Sequence, residues 1–179
     1  MIKKMWLHFK LITKHRWIVF KLCIKAGIPW RGLVHDLSKY SPVEFIESAK
    51  YYVGYKSPVQ VAREERQYSM AWLHHKGRNK HHEEYWYDFN APIKAPIIPY
   101  KYTIEMLCDN LAAGIVYKGK DFTNDYPLWF WENVKNKEIF NPSMIDFFQD
   151  VFTEISKKGI DKVLNKNKLK EKYNKYCKK

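Results

Sequence analysis

The stretch "LVHDLSKYSPVEF", Leu33 to Phe45, sets a histidine beside an aspartate, places a lysine three residues further on, and then begins what reads as a new helix. Six of the seven histidines, His15, His35, His74, His75, His81 and His82, fall in three or four different expected elements, and His8 stands two helical turns before His15. They are not a surface tract that binds metal by composition alone. Imidazole nitrogens combined with carboxylates suit iron, manganese, zinc, cobalt or nickel, whereas magnesium and calcium prefer oxygen-only sites. Converging in space, these residues would hold a transition-metal ion.

The elements that must position them are helical. From Met5 to Ala26, apolar residues recur at helical spacing through Trp6, Phe9, Ile12, Trp17, Phe20 and Ile24, with Gly27 at the C-cap, which places His15 inside a first long helix. Pro29 opens a short second helix carrying His35 and Asp36 at its far end. Ser41, Pro42 and Glu44 form a capping-box start for a third helix reaching about Val53. Ser57-Pro58 starts a fourth, expected to run unbroken to Gly77 with His74 and His75 in its last turn. "GRNKHHEEYWYDF" reads as a polar-aromatic loop or short helix, and three prolines then mark an extended linker. From Pro99, Ile104, Leu107, Cys108, Leu111 and Ile115 share a helical stripe with Asp109 beside it. More helix is expected from Asn141-Pro142 to Lys158, and no sustained alternation predicts strands. The expected fold is all-α, a compact helical domain over residues 1–158 followed by a basic helix or tail over 159–179.

Composition agrees with one domain: 179 residues, 46% of them hydrophobic, can bury a substantial core. Lys10, Lys14, His15, Arg16, Lys21 and Lys25 interrupt the N-terminal apolar segment, so no stretch reaches the roughly 18 to 20 residues of a membrane span. No signal-peptide cleavage pattern follows, and the expectation is a cytoplasmic protein with no membrane partner. Cys23, Cys108 and Cys177 are scattered and in no CxxC pair, which gives core or tail thiols and no thiolate metal cluster. The net charge of +13 favours phosphorylated ligands and is also suited to nucleic acid. Much of it lies in the lysine-rich end, expected as a solvated helix or frayed tail.

The order of these residues, a lone histidine, a His-Asp doublet, histidine pairs and a helical aspartate, resembles the HD-domain superfamily of metal-dependent phosphohydrolases. "HDLSK" is similar to the HDxGK of its HD-GYP branch, with Ser38 in place of glycine; "HHEEYW" and "IIPYKYTIEMLCDNLAAG" are similar to that branch's HHE and IP…DxxDA segments. The likeness spans about Lys14 to Gly114. The GYP triplet itself is replaced by Glu84, Tyr85 and Trp86, so no cyclic dinucleotide substrate is implied. The chain is more similar still to a family of small, functionally uncharacterised bacterial and phage proteins sharing "HDLSK", "HHxxxNxHHxEYW" and "EMxCD". The superfamily resemblance implies an all-helical bundle with a site between helices for one or two divalent transition-metal ions, iron or manganese favoured. It implies His15 as first ligand, His35 and Asp36 as the doublet, Asp109 as the last, and partners from His74, His75, His81 and His82.

Three functions follow as expectations. The first is a phosphohydrolase acting on a nucleotide or other small phosphate ester through metal-activated water. There Asp36 bridges the ions, Lys39 reaches a substrate phosphate, and Lys76, Arg78 and Asn79 hold phosphate or a base edge. Trp86 would stack on a base, although with Tyr85 it reads equally as core. Glu44 serves as general acid or as partner to a histidine, or only as a cap; Glu105 either faces the site one turn before Asp109 or, the favoured reading, is a solvated helix glutamate, and His8 caps or packs. The second function is an HD-type di-iron oxygenase. The third is a non-catalytic nucleic-acid binder or phage interaction protein with structural histidines. Oligomeric state is not readable from the sequence.

Overall fold

The computed structural model describes residues 1–178, and among them the chain forms ten α-helices and three short 3-10 turns with no strand. The helices are α1 (Ile2–Lys25), α2 (Pro29–Val34), α3 (Pro42–Lys50), α4 (Pro58–Arg66) and α5 (Met70–Lys76), then α6 (Tyr100–Lys118), α7 (Tyr126–Asn133), α8 (Pro142–Lys158), α9 (Ile160–Val163) and α10 (Lys166–Cys177). The fold is an all-α bundle. Its axis is α6, which packs against α1 and touches α2, α7 and α10. Ile104, Leu107, Cys108 and Leu111 of α6 are fully buried, as are Phe147, Phe148, Val151 and Ile155 of α8. The Trp131 ring of α7 packs at a tilt against Phe148, with centroids 5.2 Å apart, and closes the aromatic end of the core.

Three expectations are corrected. The long helix before Gly77 is broken: Gln67 takes a left-handed conformation (φ 68°), and the Ser69 hydroxyl accepts from the Trp72 backbone N–H at 3.1 Å, capping a new helix. A serine that bonds the backbone two or three residues ahead competes with helix continuation, and here it is held in place by donating to Glu47 at 2.6 Å. The helix expected at the N-terminus is present, but its inward face is His8, Ile12, His15, Val19 and Leu22, while Trp6, Phe9, Trp17 and Ile24 are exposed. The buried repeat of four, three, four and three residues turns the histidines inward, and the alternative apolar stripe is left outside.

The third correction concerns the C-terminal end. Leu169, Tyr173 and Cys177 of α10 are buried in the same core as α6 and α8, and the Tyr173 hydroxyl donates to the Ile98 carbonyl at 2.7 Å. The lysines of α10 are solvated, but the helix is anchored, and packing does not stop at residue 158. Cys23, Cys108 and Cys177 are all buried free thiols, as expected. Leu169→Ala should destabilise the protein by about 2–5 kcal/mol in urea denaturation, the range for truncating a buried leucine. A loosely attached tail would instead give a change within about 0.5 kcal/mol.

Candidate metal centre

The His-Asp doublet is placed by a close approach of α2 to α1. A Cβ on Gly32 would lie 2.6 Å from Cys23 Cβ and 2.9 Å from the Phe20 Cα, so only glycine lets the two helices meet there. α2 ends at Val34, and its last carbonyls have no partner within the helix. Arg16 of α1 satisfies two nearby ones, donating from Nε to the His35 carbonyl at 2.7 Å and from Nη2 to the Leu33 carbonyl at 2.9 Å. Asp36 then adopts a left-handed backbone (φ 53°, ψ 27°), which costs of order 1 kcal/mol for a residue with a Cβ. The doublet therefore does not sit in the helix as expected but just beyond it, and the turn aims both side chains inward.

Asp36 is the meeting point of two groups of side chains. His15, His35, Asp36 and Asp109 form one; Asp36, His75, His81 and His82 form the other. In the first, His15 Nε2 is 2.9 Å from Asp109 Oδ1, and His35 Nε2 is 3.2 Å from Asp36 Oδ2 and 3.4 Å from Asp109 Oδ1. In the second, Asp36 Oδ1 is 3.2 Å from His75 Nε2 and 3.3 Å from His81 Nε2, and His75 Nε2 is 3.0 Å from His82 Nε2. Two ligands about 2.1 Å from one ion and at right angles lie about 3.0 Å apart, the same spacing. His35 Nε2, His81 Nε2 and Asp36 Oδ1 are buried without a hydrogen-bond partner despite these short distances, and Asp36 Oδ2 is ion-paired with the Lys39 ammonium. Each such atom costs roughly 1–3 kcal/mol if nothing satisfies it. The donor set therefore fits a cation in each group, with one Asp36 oxygen directed to each.

Two further carboxylates orient the rings. Glu105, four residues before Asp109 on α6 and fully buried, accepts from His35 Nδ1 at 3.0 Å, lies 3.3 Å from His81 Nδ1, and is clamped by Arg31 Nε at 2.7 Å. Glu44 accepts from Nδ1 of both His74 and His75 at 2.7 Å. A carboxylate taking the Nδ1 proton leaves the Nε2 lone pair facing the site, the usual second layer of a histidine metal site. Asn79 completes the frame by donating to the Ser38 hydroxyl and to the His75 carbonyl, each at 2.9 Å.

The electrostatics match that reading. Burial opposes ionisation of Asp36, but the charges of His35, Lys39 and His75 outweigh it and hold the carboxyl well below its ordinary value. Asp109 is likewise held well below, where the bonds to His15 and His35 overcome burial. Glu105 is lowered to about 2, burial being overcome chiefly by its bonds to His35 and His81. Burial favours a neutral His35, yet the neighbouring Asp36, Asp109 and Glu105 raise its pKa well above the ordinary value. Burial, with the charges of His81 and His75, pushes His82 well below. The carboxylates are thus held as anions and the site as a whole calls for positive charge, which protons or metal cations can supply.

The structure brings together His15, His35, Asp36, His75, His81, His82 and Asp109, and it leaves His74 outside both groups, at Glu44. Lys39 pairs with Asp36 from the 3-10 turn Leu37–Tyr40 rather than from a continued helix. Glu44 is not the expected cap: Ser41 makes no side-chain cap bond and the glutamate is turned to the histidines. A cleft of about 750 Å³ reaches the metal-facing groups, with His15, Lys39, His75, His82 and Asp109 in its lining. Lys76, Arg78, Asn79 and Trp86 do not line it. Asn79 braces His75, and Trp86 donates to the Lys80 carbonyl and packs near Tyr102, so neither contacts the cleft as expected. Arg63 and Lys118 line the cleft instead, over the rings of Trp72 and Tyr126.

Arg31 was missed by sequence reasoning, and Glu105, whose place one helical turn before Asp109 gives it a share of the same face, is buried at the site rather than solvated.

Among known proteins, residues 4–154 match the model of DUF5662, a family described as being of unknown function. No curated protein and no solved structure matches the chain. Were each group to hold an ion and the two to share Asp36, Asp36→Ala should remove both, whereas His82→Ala should leave about one per chain and His74→Ala about two, as read by elemental analysis of protein saturated with manganese and then desalted.

Proposed function

We propose that this chain, which belongs to DUF5662, is a metal-dependent phosphohydrolase acting on a small phosphate ester, with a nucleotide as the favoured class. The observation that carries the reading is the buried Asp36 carboxylate, with one oxygen directed to each of two histidine-rich groups. Two divalent ions bound there would supply Lewis acidity and a water acidified towards neutrality. His15, His35 and Asp109 would hold one, and His75, His81 and His82 the other, with iron or manganese suited to such mixed nitrogen and oxygen ligands.

The remaining residues have separable duties. Glu105 and Glu44 keep the Nδ1 protons of their histidines and so fix which nitrogen faces the cleft. Lys39 holds a positive charge at the mouth of the first group, because Asp36 and Asp109 outweigh the effect of burial and keep its ammonium protonated. From there it is placed to meet a phosphate oxygen. Arg63 and Lys118 extend the positive charge outward along the cleft, and the volume of about 750 Å³ is in the range of pockets that enclose a nucleotide-sized molecule. Hydrolysis would add water to phosphorus and release the ester oxygen as an alcohol. A purely structural role for the histidines leaves the orphaned atoms of His35, Asp36 and His81 without an account.

A second reading has an observation of its own. The group of His75, His81 and His82 offers three imidazoles and only one carboxylate, a nitrogen-rich set suited to ferrous iron and dioxygen. The two are separated by incubating manganese- and iron-loaded protein with nucleoside monophosphates and p-nitrophenyl phosphate. Phosphate release that disappears in Asp36→Ala, and falls roughly 100-fold in kcat/KM in Lys39→Met with metal content retained, is the expected result. Oxygen uptake dependent on ferrous iron, without phosphate release from any ester, would favour the oxygenase.

A further inference from the structure

The outward side of α1 serves neither the core nor the metal centre. Ile2, Trp6, Phe9, Trp17 and Ile24 are all exposed, and at 100° per residue they fall along one stripe turned away from the His8, His15 and Val19 face. Trp6 is 55% exposed and Trp17 58%. The stripe is widened by α2 and the turn after it: the close packing at Gly32 and the bonds from Arg16 hold this segment against α1, and there Trp30, Leu33 and Leu37 are exposed as well, Trp30 to 68%. Phe9 and Tyr40, with ring centroids 5.9 Å apart, join the turn to the helix. Single exposed apolar side chains need no explanation, but three half-exposed tryptophans with aliphatic neighbours on adjoining elements form a patch, and patches mark interaction surfaces.

Charge identifies the partner. α1 contains no aspartate or glutamate, and Lys3, Lys10, Lys14 and Lys21 project along one flank of the stripe. Lys10 already reaches over the Trp6 ring, with its Nζ 5.0 Å from the centroid. A second copy of this chain would set those lysines against their equivalents in a protein of net charge +13. A nucleic acid would satisfy the lysines but would leave Ile2, Ile24, Leu33 and Leu37 without an apolar neighbour. The boundary of an anionic bilayer satisfies both, because tryptophan and aliphatic side chains enter the headgroup region while lysines meet acidic headgroups. Among the described residues no helix is long and apolar enough to cross a membrane, so the contact inferred is a peripheral one.

We propose that the outward face of α1, together with Trp30, Leu33 and Leu37, docks this protein onto a membrane surface carrying anionic lipid headgroups. It departs from the sequence expectation of no membrane partner, which weighed only spanning segments. The metal centre opens from the opposite side of α1 and plays no part in the contact.

The test uses the full chain and sedimentation with phosphatidylcholine vesicles containing about one-quarter phosphatidylglycerol, against vesicles of phosphatidylcholine alone; binding to the first should be at least about tenfold tighter and should shift tryptophan emission to the blue. Two variants should each lose about tenfold or more in binding: Trp6→Ser with Trp17→Ser and Trp30→Ser, and Lys10→Glu with Lys14→Glu and Lys21→Glu. Both should retain metal content, and the charge variant, which touches no apolar contact, decides the matter if the aromatic one fails to fold. Absence of binding to the anionic vesicles, or unchanged binding by the folded variants, overturns the proposal. So does a dimer that these substitutions dissociate and vesicles do not, or a duplex DNA that binds more tightly than the vesicles.

Discussion

The structure is organised around a fully buried carboxylate, Asp36, whose charge has to be met from within the fold. Asp36 lies where α1, α2, α5 and α6 converge, and a lone buried anion in that position would be strongly unfavourable. Everything adjacent answers that charge. His35, His75 and His81 approach its two oxygens and Lys39 pairs with one of them. The backbone is bent into a left-handed turn to deliver it, Gly32 allows the helix before it to touch α1, and Arg16 takes up the carbonyls that the turn exposes. A polar cluster this extensive is costly unless fully satisfied, and the proposed cations at its centre would complete it.

Function and folding are coupled through the same atoms. Glu105 ties α6 to α2 through Arg31 and His35, and Glu44 ties α3 to α5 through His74 and His75. These carboxylates act as struts between helices and also fix the tautomers that a metal requires. The apolar core of α6, α8 and α10 is buried and rich in aromatic rings, so the site is built on helices that side-chain packing already holds.

The seven residues that meet in the two groups were legible because their types are unusual and their order places them at element ends or on a buried helix. The fold class was legible for a similar reason: helix start signals such as Ser41-Pro42 and Ser57-Pro58 are local, and Pro42 and Pro58 do open helices. What sequence could not resolve was the choice between neighbours of the same type. His74 and His75 are adjacent and differ only in which side of α5 they occupy, and Glu105 resembles any helix glutamate until α2 is packed over it. α1 offered two apolar stripes, and the more aromatic one lies outside because burying His8 and His15 fixed the rotation of the helix. Arg78 and Lys76 looked like phosphate ligands from their place between histidine pairs, whereas the cleft opens towards Arg63 and Lys118 from other parts of the chain.

The central claim is that one buried carboxylate is shared by two metal ions. Anomalous scattering from crystals grown with manganese tests it most directly. The account predicts two peaks about 3.5–4 Å apart on either side of Asp36, one within ligand distance of His15, His35 and Asp109 and the other of His75, His81 and His82. A single peak away from Asp36, or none with Lys39 still paired to that carboxylate, would contradict it.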